Sequence, residues 1–127
     1  MDGVLGVEEV LFFVPDVQGA KQWYIELLGN EPYLDNKNYC AFHLANYTVG
    51  IHPSDEKTSS GVAGQVTYWR VSDIKKIIAH FESHGCHLFR GPKLGIDEVW
   101  ICQLIDPFGN VWGLVEKPVF PVNDSSY

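Results

Sequence analysis

Glu9-Val-Leu-Phe-Phe-Val-Pro-Asp16 and Val66-Thr-Tyr-Trp-Arg-Val-Ser-Asp73 are two copies of one signal, and their repetition decides how this 127-residue chain folds. Each copy is a short apolar run closed by Val-x-Asp. Each then opens a run of helical period that ends in glycine. Trp23, Tyr24, Leu27 and Leu28 lead to Gly29, and Ile74, Ile77, Ile78 and Phe81 lead to Gly85. A second echo follows, Thr48-Val-Gly-Ile51 against Val111-Trp-Gly-Leu114. A repeat of this length means two similar supersecondary units.

Working outward from the repeat, strands are expected at about 8–14, 31–35, 39–45 and 47–52 in unit one (8–52). A polar linker covers 53–63. Unit two (64–116) holds strands at about 65–71, 86–90, 98–105 and 111–116. Asp16 and Asp73 are placed to cap two helices, 16–29 and 73–84, because an N-cap carboxylate accepts free amides of the first turn. Gly29 suits the left-handed position after the first helix. Asp106-Pro-Phe-Gly-Asn110 is a strong turn. The tail 117–127, with two prolines and a polar end, reads as loose. Residues 1–127 make one domain of α+β class.

Composition narrows the function classes. At 46% hydrophobic the chain can bury a core. No apolar run reaches the roughly 18 residues of a membrane span. Met1-Asp-Gly-Val4 does not read as the cationic start of a signal peptide. Three cysteines, Cys40, Cys86 and Cys102, lack Cys-x-x-Cys spacing and read as reduced, mostly buried thiols of a cytoplasmic protein. The net charge of −7 excludes a nucleic-acid partner, which requires a basic face. It serves solubility and permits a cationic ligand. Phosphate-binding glycine loops and a Gly-x-Ser-x-Gly elbow are missing, and Cys102 has no evident His partner in its strand.

Val14-Pro15-Asp16 with Trp23-Tyr24 and Leu27-Leu28-Gly29, Val71-Ser72-Asp73 through Gly85, and Asp106-Pro107-Phe108-Gly109-Asn110 together resemble the vicinal oxygen chelate superfamily over about residues 8–116. That superfamily includes glyoxalase I, bleomycin resistance proteins and extradiol dioxygenases. The resemblance implies two βαβββ units whose curved mixed sheets enclose a cavity, with helices on the outer face, often completed by a homodimer. It also implies a divalent metal held by four side chains, one from the first and one from the last strand of each unit. Those positions fall here on Glu9, Gly50, Val66 and Gly113. Glycine and valine offer no side-chain donor, and one carboxylate does not hold a catalytic divalent ion. The expectation is therefore no metal and no cofactor.

A displaced site is the alternative. With a two-residue turn at Asn46-Tyr47, His43 would lie opposite Gly50 and His52 opposite Ala41. Both histidines would then share a face with Glu9, either as ligands or as hydrogen-bonding and stacking groups. His80, His84 and His87 read as surface residues. Strand alternation gives the expected ligand-lining set: Glu9, Leu11 and Phe13 on strand one, His43 and His52, Tyr68 and Arg70 on strand five, and Gln103 opposite Gly113. The two glycines would leave room for a ligand. Trp112 and Leu114 would face the helices. Leu11 and Phe13 also suit plain core packing. Arg70 suits either a pair with Glu9 or a rim contact to an anion. Glu98 and Trp100 suit the rim or the solvent face.

Two functions follow. One is metal-free binding of the bleomycin-resistance type, sequestering a small aromatic or cationic compound without chemistry, in a homodimer with no nucleic-acid or membrane partner. The other is a glyoxalase-like lyase or isomerase with a shifted metal, or with Glu9 and His43 or His52 as an acid–base pair.

Overall fold

The computed structural model describes residues 2, 3, 5, 7–62, 66–95 and 98–118. Eight strands and two helices follow one another as β1 (Val10–Val14), α1 (Val17–Leu28), β2 (Leu34–Asn36), β3 (Tyr39–Leu44), β4 (Tyr47–Pro53), β5 (Tyr68–Arg70), α2 (Ile74–Ser83), β6 (His87–Leu94), β7 (Trp100–Ile105) and β8 (Val111–Glu116). They form two four-stranded sheets, ordered β1-β4-β3-β2 and β5-β8-β7-β6. In each, the first strand runs parallel to the last and the remaining pairs are antiparallel. This is the α+β architecture of two βαβββ repeats. The chain divides into two compact units, 1–65 with 107–110, and 66–106 with 111–127. The last residues of the tail, 119–127, and the linker residues 63–65 lie outside the described residues.

In unit 1, alternation decides which side of the sheet is core. Phe12 and Val14 on β1, Cys40 and Phe42 on β3, and Val49 and Ile51 on β4 are all buried. They pack on α1, which buries Val17, Ala20, Tyr24 and Leu27 at helical spacing. Phe12 and Phe108 both stack on Tyr24. Trp23 meets Phe108 edge-on, so the Pro107–Asn110 turn is part of this core. Asn110 secures it by donating from Nδ2 to the Phe13 carbonyl at 2.8 Å. Gly29 closes α1 with φ 80°, as expected. Asp16 stands at the N-cap, but its side chain accepts no capping bond. Its backbone carbonyl takes the amide of Ala20, while its carboxylate lies against Gly19.

In unit 2, Trp112, Leu114, Cys102 and Leu104 are buried toward α2, which contributes Ile74, Ile78 and Phe81. Phe81 meets Trp112 edge-on at 5.4 Å. Here the capping expectation holds. Asp73 accepts from the Lys76 amide, and Glu116 accepts from the Ile74 amide. The sequence reading ended β6 at residue 90, because Gly91-Pro92 looks like a terminator. The strand runs on to Leu94. It is an edge strand with two register slips, and edges and bulges are where proline is tolerated.

One register differs from expectation. The β3–β4 turn is Ala45-Asn46, not Asn46-Tyr47, and Ala45 takes φ 54°. His43 therefore pairs with Thr48, and Gly50 with Ala41. The register is set by the buried pairs Cys40–Ile51 and Phe42–Val49 rather than by the residue best suited to the turn. The shift is by two residues, so every side chain keeps its face.

Candidate functional site

The face of the unit 1 sheet away from α1 carries Glu9, Leu11, Phe13, Tyr39, His43, Thr48, Gly50 and His52. At its centre the Glu9 carboxylate accepts a 2.6 Å hydrogen bond from the Tyr39 hydroxyl. Burial first, and then the adjacent Glu9 carboxylate, push the Tyr39 phenol well above its ordinary range, so it remains a neutral donor to Glu9. Gly50 lies beneath this pair. A Cβ there would come within 2.5 Å of Glu9 Oε2, 2.9 Å of Leu11 Cδ1 and 3.0 Å of Tyr39 Cε1. Glycine here lets the carboxylate and phenol lie down on the strand. The expected room for a ligand over Gly50 is filled by the protein's own side chains.

The two histidines share that face but have separate surroundings. His52 bonds the Pro53 carbonyl through Nδ1 at 2.9 Å and meets Phe13 edge-on at 5.6 Å. His43 stacks on Tyr33 with ring centroids 4.1 Å apart, and Tyr33 in turn bonds Thr48. Their rungs are four apart, roughly 13 Å along the strands at 3.3 Å per residue. Among the described residues no group of three His, Cys, Asp or Glu side chains converges as a metal site would require. The displaced Glu9, His43, His52 cluster of the sequence reading is therefore not assembled.

In unit 2 the face away from α2 carries Tyr68, Gln103 and Gly113 on one row. Tyr68 pairs with Gly113 across the parallel ladder, and Gln103 pairs with Gly113 across the antiparallel one. The expected Gln103 register is thus present. The Gln103 amide donates to the Tyr68 hydroxyl at 2.8 Å. A Cβ on Gly113 would fall 2.7 Å from the Thr67 carbonyl, 2.7 Å from Tyr68 Cδ1 and 2.9 Å from Val66 Cγ1. The Tyr68 ring and Val66 occupy the space that the sequence reading left open. Arg70, two residues along β5 and opposite Val115, is exposed. An open concavity of about 540 Å³ lies beside this row, lined by Tyr68, Arg90, Gly91, Lys93, Ile101, Cys102 and Gln103. Trp100 lines a different hollow with Pro92, Lys75 and Glu116 on its rim. Glu98 is exposed with φ 59°.

The sequence reading missed Tyr39, Arg90 and Lys93. Tyr39 was findable, since it has the strand parity of His43. All three cysteines are buried and unpaired, and burial raises the Cys40 thiol to about 11, Cys86 to about 12 and Cys102 to about 11. A thiolate nucleophile has no support in that setting.

The family model of the Glyoxalase/Bleomycin resistance protein/Dioxygenase superfamily matches residues 6–114. The chain belongs to that superfamily. No curated protein matches the sequence. Solved members share its fold at low identity. A glyoxalase/bleomycin resistance protein/dioxygenase family enzyme from Burkholderia phytofirmans PsJN superposes with TM-score 0.74 at 13% identity, covering 87% of this chain and 98% of its own. A glyoxalase/bleomycin resistance protein from Albidiferax ferrireducens T118 gives 0.70 at 20%, covering 88% and 98%. A lactoylglutathione lyase from Agrobacterium tumefaciens gives 0.70 at 16%, covering 91% and 96%.

The superfamily's metal can be tested against the side chains present. In unit 1 the two positions are Glu9, whose carboxylate Tyr39 engages, and Gly50. In unit 2 they are Val66 and Gly113, under the Tyr68 ring. Three of the four bring no donor atom, and covering side chains press on both glycines. The residues do not fit the ion.

Proposed function

We propose that this member binds a small, largely apolar or aromatic molecule without metal and without chemistry, in the manner of a bleomycin resistance protein. The observation that carries this reading is the pair of covered glycines. At each, the position from which the superfamily's ligand would project is overlaid by an aromatic side chain, Tyr39 or Tyr68. A metal face has become an aromatic face. Such surfaces, mostly apolar with a few placed polar groups, suit small-molecule recognition. Glu9, Leu11, Phe13, His43 and His52 would line the ligand from one unit, and Tyr68, Arg70 and Gln103 from the other. A cationic ligand has less support than an aromatic one, because Glu9 is already engaged by Tyr39. The lyase or isomerase alternative has less support as well, since neither histidine contacts Glu9 and each is committed elsewhere. The reading includes a cytoplasmic homodimer. No described helix is long and apolar enough to cross a membrane.

Metal analysis of freshly purified protein for zinc, nickel, iron and manganese tests it. The expected result is well below one equivalent after dialysis. One retained equivalent that is lost in Glu9→Gln would overturn the reading.

A further inference from the structure

The edge strand β6 does not alternate, and the departure builds a site. Leu88 pairs with the fully buried Leu104, which faces α2. Regular alternation would turn Arg90 to that same face and Lys93 to the other. Instead the register slips once between Leu88 and Arg90 and again between Arg90 and Lys93. Arg90 now stands opposite Gln103, and Lys93 opposite Ile101. Opposed residues share a face, so both cations join Tyr68 and Gln103 on the side away from the helix. Gly91 makes the slip possible. Its φ is 73°, and a Cβ there would lie 2.6 Å from the Ile101 carbonyl. Bulges re-aim side chains in this way next to functional sites.

The re-aimed side chains face the concavity of about 540 Å³. Every polar group they bring can donate. Arg90 offers a guanidinium fork and Lys93 an ammonium. The Tyr68 hydroxyl accepts from Gln103 at 2.8 Å, which leaves its own hydrogen for a ligand. Among the described residues neither cation has a carboxylate partner, the ion pair there being Lys21–Asp35. In a chain with 16 acidic and 9 basic residues, two unpaired cations on one concavity are not the expected draw. Ile101 and the Tyr68 ring add apolar wall. We infer that this concavity binds an organic anion, its carboxylate or phosphate held by Arg90, Lys93 and the Tyr68 hydroxyl and its apolar body lying on Ile101 and the Tyr68 ring. The inference rests on the small-molecule reading above and names the charge of the ligand.

Four probes of one size separate the possibilities: benzoate, phenyl phosphate, benzyl alcohol and benzylamine, titrated at low ionic strength and followed by the backbone amide resonances of Gly91, Ile101 and Gln103. Benzoate and phenyl phosphate are expected to saturate, with benzyl alcohol about tenfold weaker and benzylamine weaker still. The tighter of the two anions identifies the headgroup. Arg90→Gln and Lys93→Gln, both exposed and harmless to folding, should each weaken the anions about tenfold, as for loss of a charge-assisted hydrogen bond, and leave benzyl alcohol unchanged. Benzyl alcohol binding as tightly as benzoate, with both variants silent, would overturn the anion site and leave the small-molecule reading standing. No response of these amides to any probe would overturn both.

Discussion

The two glycines make a paired prediction about stability, because the atoms crowding them differ in kind. Replacing Gly113 with alanine puts a Cβ 2.7 Å from the Thr67 carbonyl and 2.7 Å from the Tyr68 ring. The carbonyl is backbone and cannot swing aside. It also accepts the Gly113 amide at 3.1 Å, so pushing it away weakens that bond as well. Overpacking of this sort costs about 1–3 kcal/mol. Restricting the unfolded chain returns about 0.4–1 kcal/mol. The net expectation for Gly113→Ala is a loss of about 1–2 kcal/mol. Gly50→Ala meets the ends of flexible side chains, Glu9 Oε2 at 2.5 Å and Leu11 Cδ1 at 2.9 Å. Glu9 can rotate into water, at the cost of its bond to Tyr39. For a half-buried pair that loss is about 1 kcal/mol, nearly offset by the entropic return, so the net falls within about 0.5 kcal/mol of zero. Urea unfolding reads both, as midpoint shifts at constant slope. If Gly50→Ala proved as costly as Gly113→Ala, the distinction between movable carboxylate and fixed carbonyl would be wrong.

Tyr68→Ala and Glu9→Gln are each expected to weaken binding of the natural ligand by roughly 1–3 kcal/mol without unfolding the protein, measured by calorimetry once that ligand is in hand; unchanged affinity in both would remove these residues from the pocket. The three thiols should resist a thiol-reactive dye in the native protein and all react in denaturant. Because their folded pKa values, about 11, 12 and 11, lie above the model value of 9.0, the stability they contribute is complete below pH 9 and is lost as pH rises through 11 to 12. A urea midpoint that stays flat from pH 8 to 11 would contradict this. Sedimentation at tens of micromolar should give a dimer, and a clean monomer would refute the assembly.

Most of the fold was legible because its signals are local and redundant. The Val-x-Asp repeats set β1 and β5 against the starts of α1 and α2, and both helices lie within two residues of their expected ends. The Asp106–Asn110 turn fixed the β7–β8 register, and Gln103 fell opposite Gly113 as read. Where one signal competed with another, the local one lost. Asn46 was the better turn residue than Ala45, yet burial of Cys40, Phe42, Val49 and Ile51 chose the register. Asp16 and Asp73 look alike in sequence, yet only Asp73 caps with its side chain. Capping depends on a rotamer that the sequence does not specify.

The site divides along a different line. Parity reaches every residue of a strand that keeps its alternation, which is why Glu9, Leu11, Phe13, Tyr68 and Gln103 could be assigned a face from spacing alone. Even the wrong turn at Asn46-Tyr47 did no harm to faces, since an error of two preserves parity. A bulge is an error of one, and it inverts everything beyond it. Read by parity, Arg90 belongs with Leu88 on the helix side and is a snorkelling surface cation. Read with the slip at Gly91, it joins Lys93 and Tyr68 on the opposite face. The only trace of that slip in the sequence is Gly91-Pro92, which reads more simply as the end of a strand. Glycine is required there for a tertiary reason, the approach of the Ile101 carbonyl, and no local pattern announces a neighbour more than one strand-turn away. The residues that give the concavity its charge were thus the ones least accessible to spacing arguments, because their placement depends on breaking the alternation those arguments assume.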